Sequence, residues 1–309
     1  MKLSYALLLV WMCCLAEWSD AQLPQTSIYL FDVVRTGKTW TLQHPKQIGS
    51  TKGYNNQPWF TPDGNGLYYV RSLDTPNTEI FYYHLNKKKS KRITRTKVPE
   101  YSPKWMPDMN RLSCVRVEED KVTQHFYSYS LNGKAPGLLH PGLTSIGYYE
   151  WISMNEWVSF ELPEPFYLVR HLNSQRRADT LANRVGRTFW YLRSKGVLSF
   201  VDKSDSNHWK IRVIDKSGFK NPTPAEPDNY TLLTETLPDE EDYCFMQDGS
   251  LLMAHQGILY KKRNPFKFKD SAWETLVDLK QFGITKCYRI ALSPDNTRLA
   301  LVVYTGEKP

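Results

Sequence analysis

The chain has 309 residues, of which 41% are hydrophobic and 14% aromatic, which is ample for a hydrophobic core. Its formal net charge of +8 favours acidic surfaces or polyanions as neighbours. Nineteen prolines and sixteen glycines are scattered at intervals, and no long amphipathic helical period is visible. These features favour an all-β protein built from many short strands over a helical one.

The pattern of residues 1–21 indicates a secretory signal peptide. Lys2 precedes an apolar core around residues 7–12, and residues 19–21 offer a small-x-small cleavage site. An uncleaved anchor is the alternative, but the apolar run is too short to span a bilayer comfortably. We therefore expect a secreted or periplasmic protein without a transmembrane segment after cleavage, with residues 22–309 forming one domain.

Three cysteines follow the signal: Cys114, Cys244 and Cys287. An odd number allows at most one internal bridge, so the chain is not a disulfide scaffold, and pairing of Cys244 with Cys287 stays open. Their irregular spacing, and the lack of a paired-histidine motif, argue against a zinc site. We accordingly predict no metal site and no cofactor, and assign no catalytic residue.

A turn followed by an apolar strand recurs along the chain. In residues 293–302 a proline presets the turn, an aspartate bonds local backbone, and a run of β-forming residues follows. Weaker copies recur at Pro62, Pro107 and Ile152, at intervals of 45 residues that fit a propeller blade. The repeated aspartates are interpreted as turn formers and not as a catalytic carboxylate set; they are Asp63, Asp108, Asp248 and Asp295.

The last repeat lies so near the C-terminus that its blade ends after the second strand. The N-terminal hairpin formed by residues 27–33 and 40–42 has no other partner. Pairing of the two ends would close the ring and remove exposed strand edges. The sequence thus predicts a six-bladed β-propeller of four-stranded antiparallel blades, closed by the N-terminal strands joining the C-terminal blade.

The repeat at residues 293–302, with its copies at 62–64 and 247–249, resembles the WD40-like repeat of the TolB-type six-bladed propellers. Segments 182–187 and 198–203 also look like a secreted TolB-like subgroup. The resemblance implies a propeller that acts through protein contacts at an envelope. It covers nearly the whole chain after residue 21.

The mouth of the central channel is the expected binding surface, because loops leading into the innermost strands converge there. In this sequence those loops are rich in tyrosine and in charges of both signs, and aromatic and arginine side chains make good interface anchors. Packing between blades is the alternative role for such tyrosines. The predicted ligand-binding residues are Asn56, Glu100, Tyr149, Arg187, Glu241 and Lys286.

The sequence leaves two functions open. The first is a non-catalytic binding or scaffold propeller that engages a protein, or an envelope or extracellular polyanion, at the channel mouth; nucleic acid is not expected. The alternative is a propeller hydrolase or lyase, with or without a metal, acting on a carbohydrate or lactone. No motif supports the enzyme, although a propeller can assemble a site from distant residues.

The densest run of positive charge is residues 87–92. It can be a hydrated outer hairpin, which is the simpler interpretation, or a contact for phosphate-bearing lipid or polysaccharide.

Overall fold

The computed structural model describes residues 23–37, 39–72, 77–220 and 230–306, so the predicted signal peptide lies outside the described part. Within these residues, 24 strands form six four-stranded antiparallel sheets. The predicted fold class is confirmed. The innermost strands of neighbouring sheets contact one another around the ring, including side-chain hydrogen bonds from Lys104 to the Tyr149 carbonyl and from Trp190 to the Tyr243 carbonyl, so these six strands surround the central channel.

Blades are numbered in chain order. Blade 1 is β3 (Asn55–Phe60), β4 (Gly66–Ser72), β5 (Thr78–His84) and β6 (Lys89–Arg92), and blade 2 is β7 (Glu100–Trp105), β8 (Arg111–Val117), β9 (Gln124–Ser130) and β10 (Gly137–Leu138). Blade 3 is β11 (Ile146–Trp151), β12 (Glu156–Glu161), β13 (Tyr167–Leu172) and β14 (Arg177–Asn183), and blade 4 is β15 (Val185–Leu192), β16 (Val197–Asp202), β17 (Lys210–Asp215) and β18 (Thr231–Glu235). Blade 5 is β19 (Tyr243–Phe245), β20 (Leu251–His255), β21 (Ile258–Lys262) and β22 (Trp273–Asp278). Blade 6 is β23 (Cys287–Leu292) and β24 (Arg298–Tyr304) with β1 (Thr26–Thr36) and β2 (Thr39–Ile48).

The two ends of the described chain close the ring in blade 6, as predicted. Its strand order is β2-β1-β24-β23, and β1 runs antiparallel to β24. Ile28 lies opposite Val302 in this pairing, and Leu30 lies opposite Ala300. The ring therefore depends on a contact between the first and the last strands.

The second strand of each blade is apolar on both faces because each blade packs against two neighbours. In β4, Leu67 and Tyr69 pack in a cluster shared with blade 6, whereas Tyr68 and Val70 pack in a cluster shared with blade 2. Successive side chains point to opposite faces of a strand, so each blade must supply two apolar faces. The six hydrophobic clusters found among the described residues correspond to the six blade interfaces.

The repeated aspartates shape the turns that join first and second strands. In each turn the carboxylate accepts a hydrogen bond from the backbone N–H two residues later, the arrangement of an Asx turn. The four bonds run from Asn65 to Asp63 (3.0 Å), from Asn110 to Asp108 (3.1 Å), from Ser250 to Asp248 (2.8 Å) and from Thr297 to Asp295 (3.0 Å). Their predicted structural role is confirmed.

The innermost strands begin earlier than the sequence suggested. Asn56, Glu100 and Tyr149, predicted on loops that lead into the innermost strands, lie within β3, β7 and β11 themselves. Within the described residues, five of the six innermost strands shift register against their second strand. Such bulges redirect side chains and are common beside functional sites.

The three cysteines among the described residues, Cys114, Cys244 and Cys287, are unpaired. Cys114 and Cys244 are buried in blade interfaces. Burial and the nearby Glu240 raise the pKa of Cys287 to about 12, so its thiol is protonated at neutral pH. Across the described ranges, no helix combines the length and apolar character needed to cross a bilayer.

Candidate ligand site in the central channel

A cavity of about 110 Å³ lies in the central channel. Every blade contributes to it through its innermost strand, so no short stretch of sequence contains the site. Each blade contributes at least one polar residue to the lining, and in order from blade 1 to blade 6 these include Gln57, Lys104, Tyr148, Arg187, Asp242 and Arg289.

Arg187 is held by acidic residues from blade 5. Its Nη1 lies 2.8 Å from Glu241 Oε1, its Nη2 contacts Asp242, and its backbone N–H donates to Glu241 Oε2 at 2.9 Å. Lys203 Nζ adds a second contact to Glu241 at 3.0 Å. Burial by itself raises the pKa of Glu241, but the charges of Arg187 and Lys203 outweigh it and lower that pKa, so Glu241 is ionised at neutral pH.

Arg289 reaches across the channel. Its Nη2 donates a hydrogen bond of 2.7 Å to the phenol oxygen of Tyr148, and its guanidinium carbon lies 4.9 Å from the centre of the same ring. Its Nη1 is 3.5 Å from Asp242 Oδ1, so both channel arginines share that carboxylate. The positive charge of Arg289 is therefore less directly compensated than that of Arg187.

Both channel arginines keep a buried donor without an acceptor. The Nε atoms of Arg187 and Arg289 are shielded from solvent and form no hydrogen bond with the protein. Buried donors of this kind are uncommon in native proteins, because each loses its hydration without replacement. A bound acceptor, such as a carboxylate, would satisfy them.

Tyrosines surround this charged group. The rings of Tyr54 and Tyr101 lie 6.4 Å apart in an edge-on arrangement, and Arg187 lies 4.9 Å from the ring centre of Tyr288. Burial, with a smaller contribution from Tyr148, raises the pKa of Tyr54 well above its ordinary value. The phenol of Tyr54 is thus neutral and can either donate or accept a hydrogen bond.

The six predicted residues occupy four kinds of position. Tyr149 and Arg187 line the cavity, and Glu241 contacts Arg187 from behind. Lys286 is exposed just before β23. Asn56 is fully buried, with its Oδ1 accepting from the Gln57 backbone N–H at 2.7 Å and its Nδ2 unbonded.

Glu100 is also fully buried, at the start of β7. Its carboxyl accepts hydrogen bonds from the hydroxyls of Thr94, Thr96 and Tyr129. Burial, together with the charge of nearby Glu79, raises its pKa to about 7. The hydrogen-bond partners of Glu100 come from the blade 1–blade 2 connection and from β9, and it does not line the cavity.

Five of the polar lining residues named above were not among the six selected from the sequence: Gln57, Lys104, Tyr148, Asp242 and Arg289. Each lies within four positions of a selected residue. Neighbouring residues on a strand point in different directions, and the bulges shift that alternation, so the choice between adjacent positions needs the strand register. The available signal was an arginine or a tyrosine within two positions of the start of each innermost strand.

Blade 3 contains a group that superficially resembles a hydrolase relay. Ser159 Oγ lies 2.8 Å from His171 Nε2, and Glu161 Oε1 lies 3.0 Å from the same nitrogen. A relay instead divides the two ring nitrogens between nucleophile and carboxylate. Ser159 is fully buried and the His171 ring stacks on Trp157 at 3.9 Å, so this group is part of the blade packing.

Solved structures match the whole arrangement. A protein assigned as TolB from Agrobacterium tumefaciens superimposes with a TM-score of 0.63 at 13% identity, covering 92% of this chain and 99% of that one. The fold is that of the TolB-type six-bladed propellers. The predicted resemblance is thereby confirmed at the level of fold.

Further structures share this TolB-type fold. TolB from Acinetobacter baumannii gives a TM-score of 0.55 at 13% identity, covering 92% of this chain and 65% of that one. An oligogalacturonate lyase in complex with manganese gives 0.53 at 12% identity, covering 93% and 80%. No family model matches the sequence, and no curated protein matches it significantly.

Proposed function

We propose that this TolB-like propeller is a non-catalytic binding protein whose central channel takes up a carboxylate of a protein partner. The carboxylate belongs to a chain terminus or an acidic side chain that enters the channel mouth. One observation carries the proposal: Arg187 and Arg289 stand together in the channel, each with a buried Nε that has no acceptor. Carboxylates match the planar donor geometry of arginine closely.

The charge balance of the channel supports an anionic ligand. Asp242 forms ion pairs with both channel arginines. The neighbouring carboxylate, that of Glu241, is paired with Arg187 and Lys203. Arg289 otherwise relies on its hydrogen bond to the phenol oxygen of Tyr148. A ligand carboxylate beside Arg289 would gain charge-assisted hydrogen bonds at a site already removed from bulk water.

The size of the cavity indicates what can enter. At about 110 Å³ it holds a small group, whereas pockets for whole drug-sized ligands measure roughly 300–1,000 Å³. A partner would insert one acidic group and bind the rim with its remaining surface. Protein contact is also what the resemblance to TolB-type propellers implies, and the predicted signal peptide would place the encounter in a secreted or periplasmic compartment.

Two peptides test the proposal by calorimetry: a short glutamate-rich peptide with a free C-terminus, and its glutamine counterpart with an amidated C-terminus. We expect the acidic peptide to bind the wild type and to lose on the order of tenfold in affinity with Arg289→Gln. Arg298→Gln removes the same charge from the same blade, outside the channel lining, and should bind normally. Equal binding of both peptides, or undiminished binding by Arg289→Gln, would contradict the proposal.

A pull-down from the native compartment with wild type and Arg289→Gln would then identify the partner. A protein captured by the wild type and lost from this variant is the expected result. Partners retained equally by both would place the binding surface elsewhere.

The second candidate function is a lyase or hydrolase acting on a carbohydrate or lactone. Its support is the fold shared with the oligogalacturonate lyase described in complex with manganese. Among the described residues, no group of three or more histidine, cysteine, aspartate or glutamate side chains could hold a metal ion. The described channel residues place two guanidinium groups around Asp242, which does not fit the oxygen-rich set that a hard divalent cation requires. Manganese-dependent cleavage of an acidic polysaccharide by the purified chain would favour this candidate.

A further inference from the structure

A second cavity, separate from the channel, lies on the outside of the propeller between blades 1 and 2. It is an open groove of about 410 Å³, within the range typical of ligand pockets. Its residues come from β4, β5, β6 and the turn before β6 in blade 1, and from the ends of β7 and β9 in blade 2. We call it the outer groove.

We propose that the outer groove binds an anionic saccharide, with the aromatic residues as its floor and the lysines of the basic turn as its rim. The outer groove shares no lining residue with the channel cavity, so saccharide binding there does not depend on the channel function.

The floor of the outer groove is aromatic. Tyr68, Tyr82 and Trp105 line it, and the rings of the two tyrosines lie 4.8 Å apart at an angle of 46°. Tyr68 is buried, whereas Tyr82 and Trp105 are partly exposed toward the groove. The electron-rich face of such rings attracts the electropositive C–H groups on the flat face of a sugar ring.

The rim of the outer groove is cationic. Lys87, Lys89 and Lys91 are exposed, and within the described part of the chain none of them forms an ion pair. The neighbouring Arg92 differs, because it is bound 2.7 Å from the buried carboxylate of Glu79. Asp63, whose charge reaches Tyr82, is already held in its turn by Thr61 and Asn65. The three lysines are therefore free to meet an anion.

Two buried nitrogen atoms in the outer groove, Trp105 Nε1 and His84 Nδ1, form no hydrogen bond of standard geometry. The indole N–H of Trp105 lies close enough to the Tyr68 hydroxyl to offset part of the rise that burial causes in the pKa of that phenol. The indole N–H can only donate, and the imidazole nitrogen can donate or accept according to its tautomer. Hydroxyl groups, which donate and accept, are suitable partners for both.

The combination favours a saccharide over other anions. Lysines on an edge strand such as β6 also discourage sheet-to-sheet aggregation, but that role needs neither the aromatic floor nor the unpaired nitrogens. An acidic peptide would use the lysines and would have less use for stacked rings. Ring faces, hydroxyls and acidic groups occur together in uronic-acid or sulfated saccharides.

Calorimetry with defined oligosaccharides tests the outer groove. The probes are a heparin-derived hexasaccharide, an oligogalacturonate hexasaccharide, neutral maltohexaose and hexaglutamate. All are titrated into the full chain carrying Arg289→Gln, so that binding in the channel does not contribute. We expect one or both acidic saccharides to bind, the neutral one not to bind, and affinity to fall with added salt. The two acidic probes distinguish sulfate from carboxylate as the recognised group.

The double substitution Lys89→Gln and Lys91→Gln should lower the affinity for the acidic saccharide on the order of tenfold. It should leave the melting temperature unchanged, because both lysines are exposed and unpaired. Lys267→Gln with Lys269→Gln removes the same charge from exposed sites beyond β21 and should bind like the parent. Tyr82→Leu should weaken binding with the lysines intact.

Three results would overturn the inference. The first is that neither acidic saccharide binds. The second is that both double-lysine variants lose the same affinity for the acidic saccharide. The third is that hexaglutamate binds more tightly than either acidic saccharide.

Discussion

Arg289 and Tyr148 are joined by a hydrogen bond of 2.7 Å although 141 residues separate them in the chain. They belong to blades 6 and 3, which face each other across the ring. The bond therefore spans the channel and connects opposite sides of the propeller. It also positions the guanidinium group that we propose as the ligand anchor.

Replacing Tyr148 with Phe should lower the free energy of unfolding by about 1–2 kcal/mol, because a hydrogen bond to a charged donor is lost while the ring remains. Chemical denaturation of wild type and variant measures the difference. Tyr167→Phe, on a partly exposed residue outside the channel lining, is the matched control and should change stability by a few tenths of a kcal/mol at most. Equal stability of wild type and Tyr148→Phe would mean that the cross-channel bond contributes nothing measurable.

Replacing Arg187 with Ala should lower the free energy of unfolding by about 3–5 kcal/mol at neutral pH, because two carboxylates would lose a buried partner. Glu241 has a lowered pKa in the folded state, so its stabilising effect is present above its ordinary pKa and is lost as pH falls through the lowered value. The cost of the substitution should thus shrink in acid.

The control for Arg187→Ala is Arg298→Ala. Arg298 lies 3.1 Å from Asp32, but both side chains are 37% exposed, so breaking that pair should cost less than about 1 kcal/mol. Similar losses of stability in Arg187→Ala and Arg298→Ala would contradict the expectation that the buried ion pairs contribute more than the exposed one.

The buried carboxyl of Glu100 should make stability depend on pH in the sense opposite to that of Glu241. Its pKa rises from an ordinary value of 4.5 to about 7, so the folded state holds a proton that the unfolded state releases between these values. The contribution of Glu100 to stability should therefore fall as pH rises from about 4.5 to about 7, by about 3 kcal/mol in total.

Glu100→Gln isolates this effect. The variant should gain stability relative to wild type as pH rises through that window, as measured by denaturation at a series of pH values. A difference between the two proteins that is constant with pH would show that Glu100 titrates normally.

Ring closure predicts that the N-terminal hairpin is indispensable. Deleting residues 22–48 should abolish cooperative thermal unfolding, because β24 would lose its partner β1 and two blade interfaces would be opened. A graded version is Phe31→Ala, which removes a fully buried ring and should cost about 3–5 kcal/mol. Phe268→Ala, on a ring that is 39% exposed, is the control. A truncated chain that kept the full melting temperature would refute the closure.

The sequence by itself determined the architecture, because the information that specifies a propeller is local. A proline–aspartate turn and a strand that is apolar on both faces are read from about ten residues, as in residues 293–302, and the repeat spacing supplies the number of blades. The unpaired hairpin at the start and the unfinished blade at the end then required the pairing of β1 with β24.

Only the tertiary structure decided which side chains meet in the channel. Tyr149 and Arg187 were predicted and do line it, whereas Glu100 turned out to be a buried carboxyl bound to Thr94, Thr96 and Tyr129. The physical reason is that a shift of one residue reverses the direction of a side chain on a strand, and bulges set that register in five innermost strands of the described chain. Sequence spacing identifies the strand, but inter-blade packing selects the residue that faces the channel.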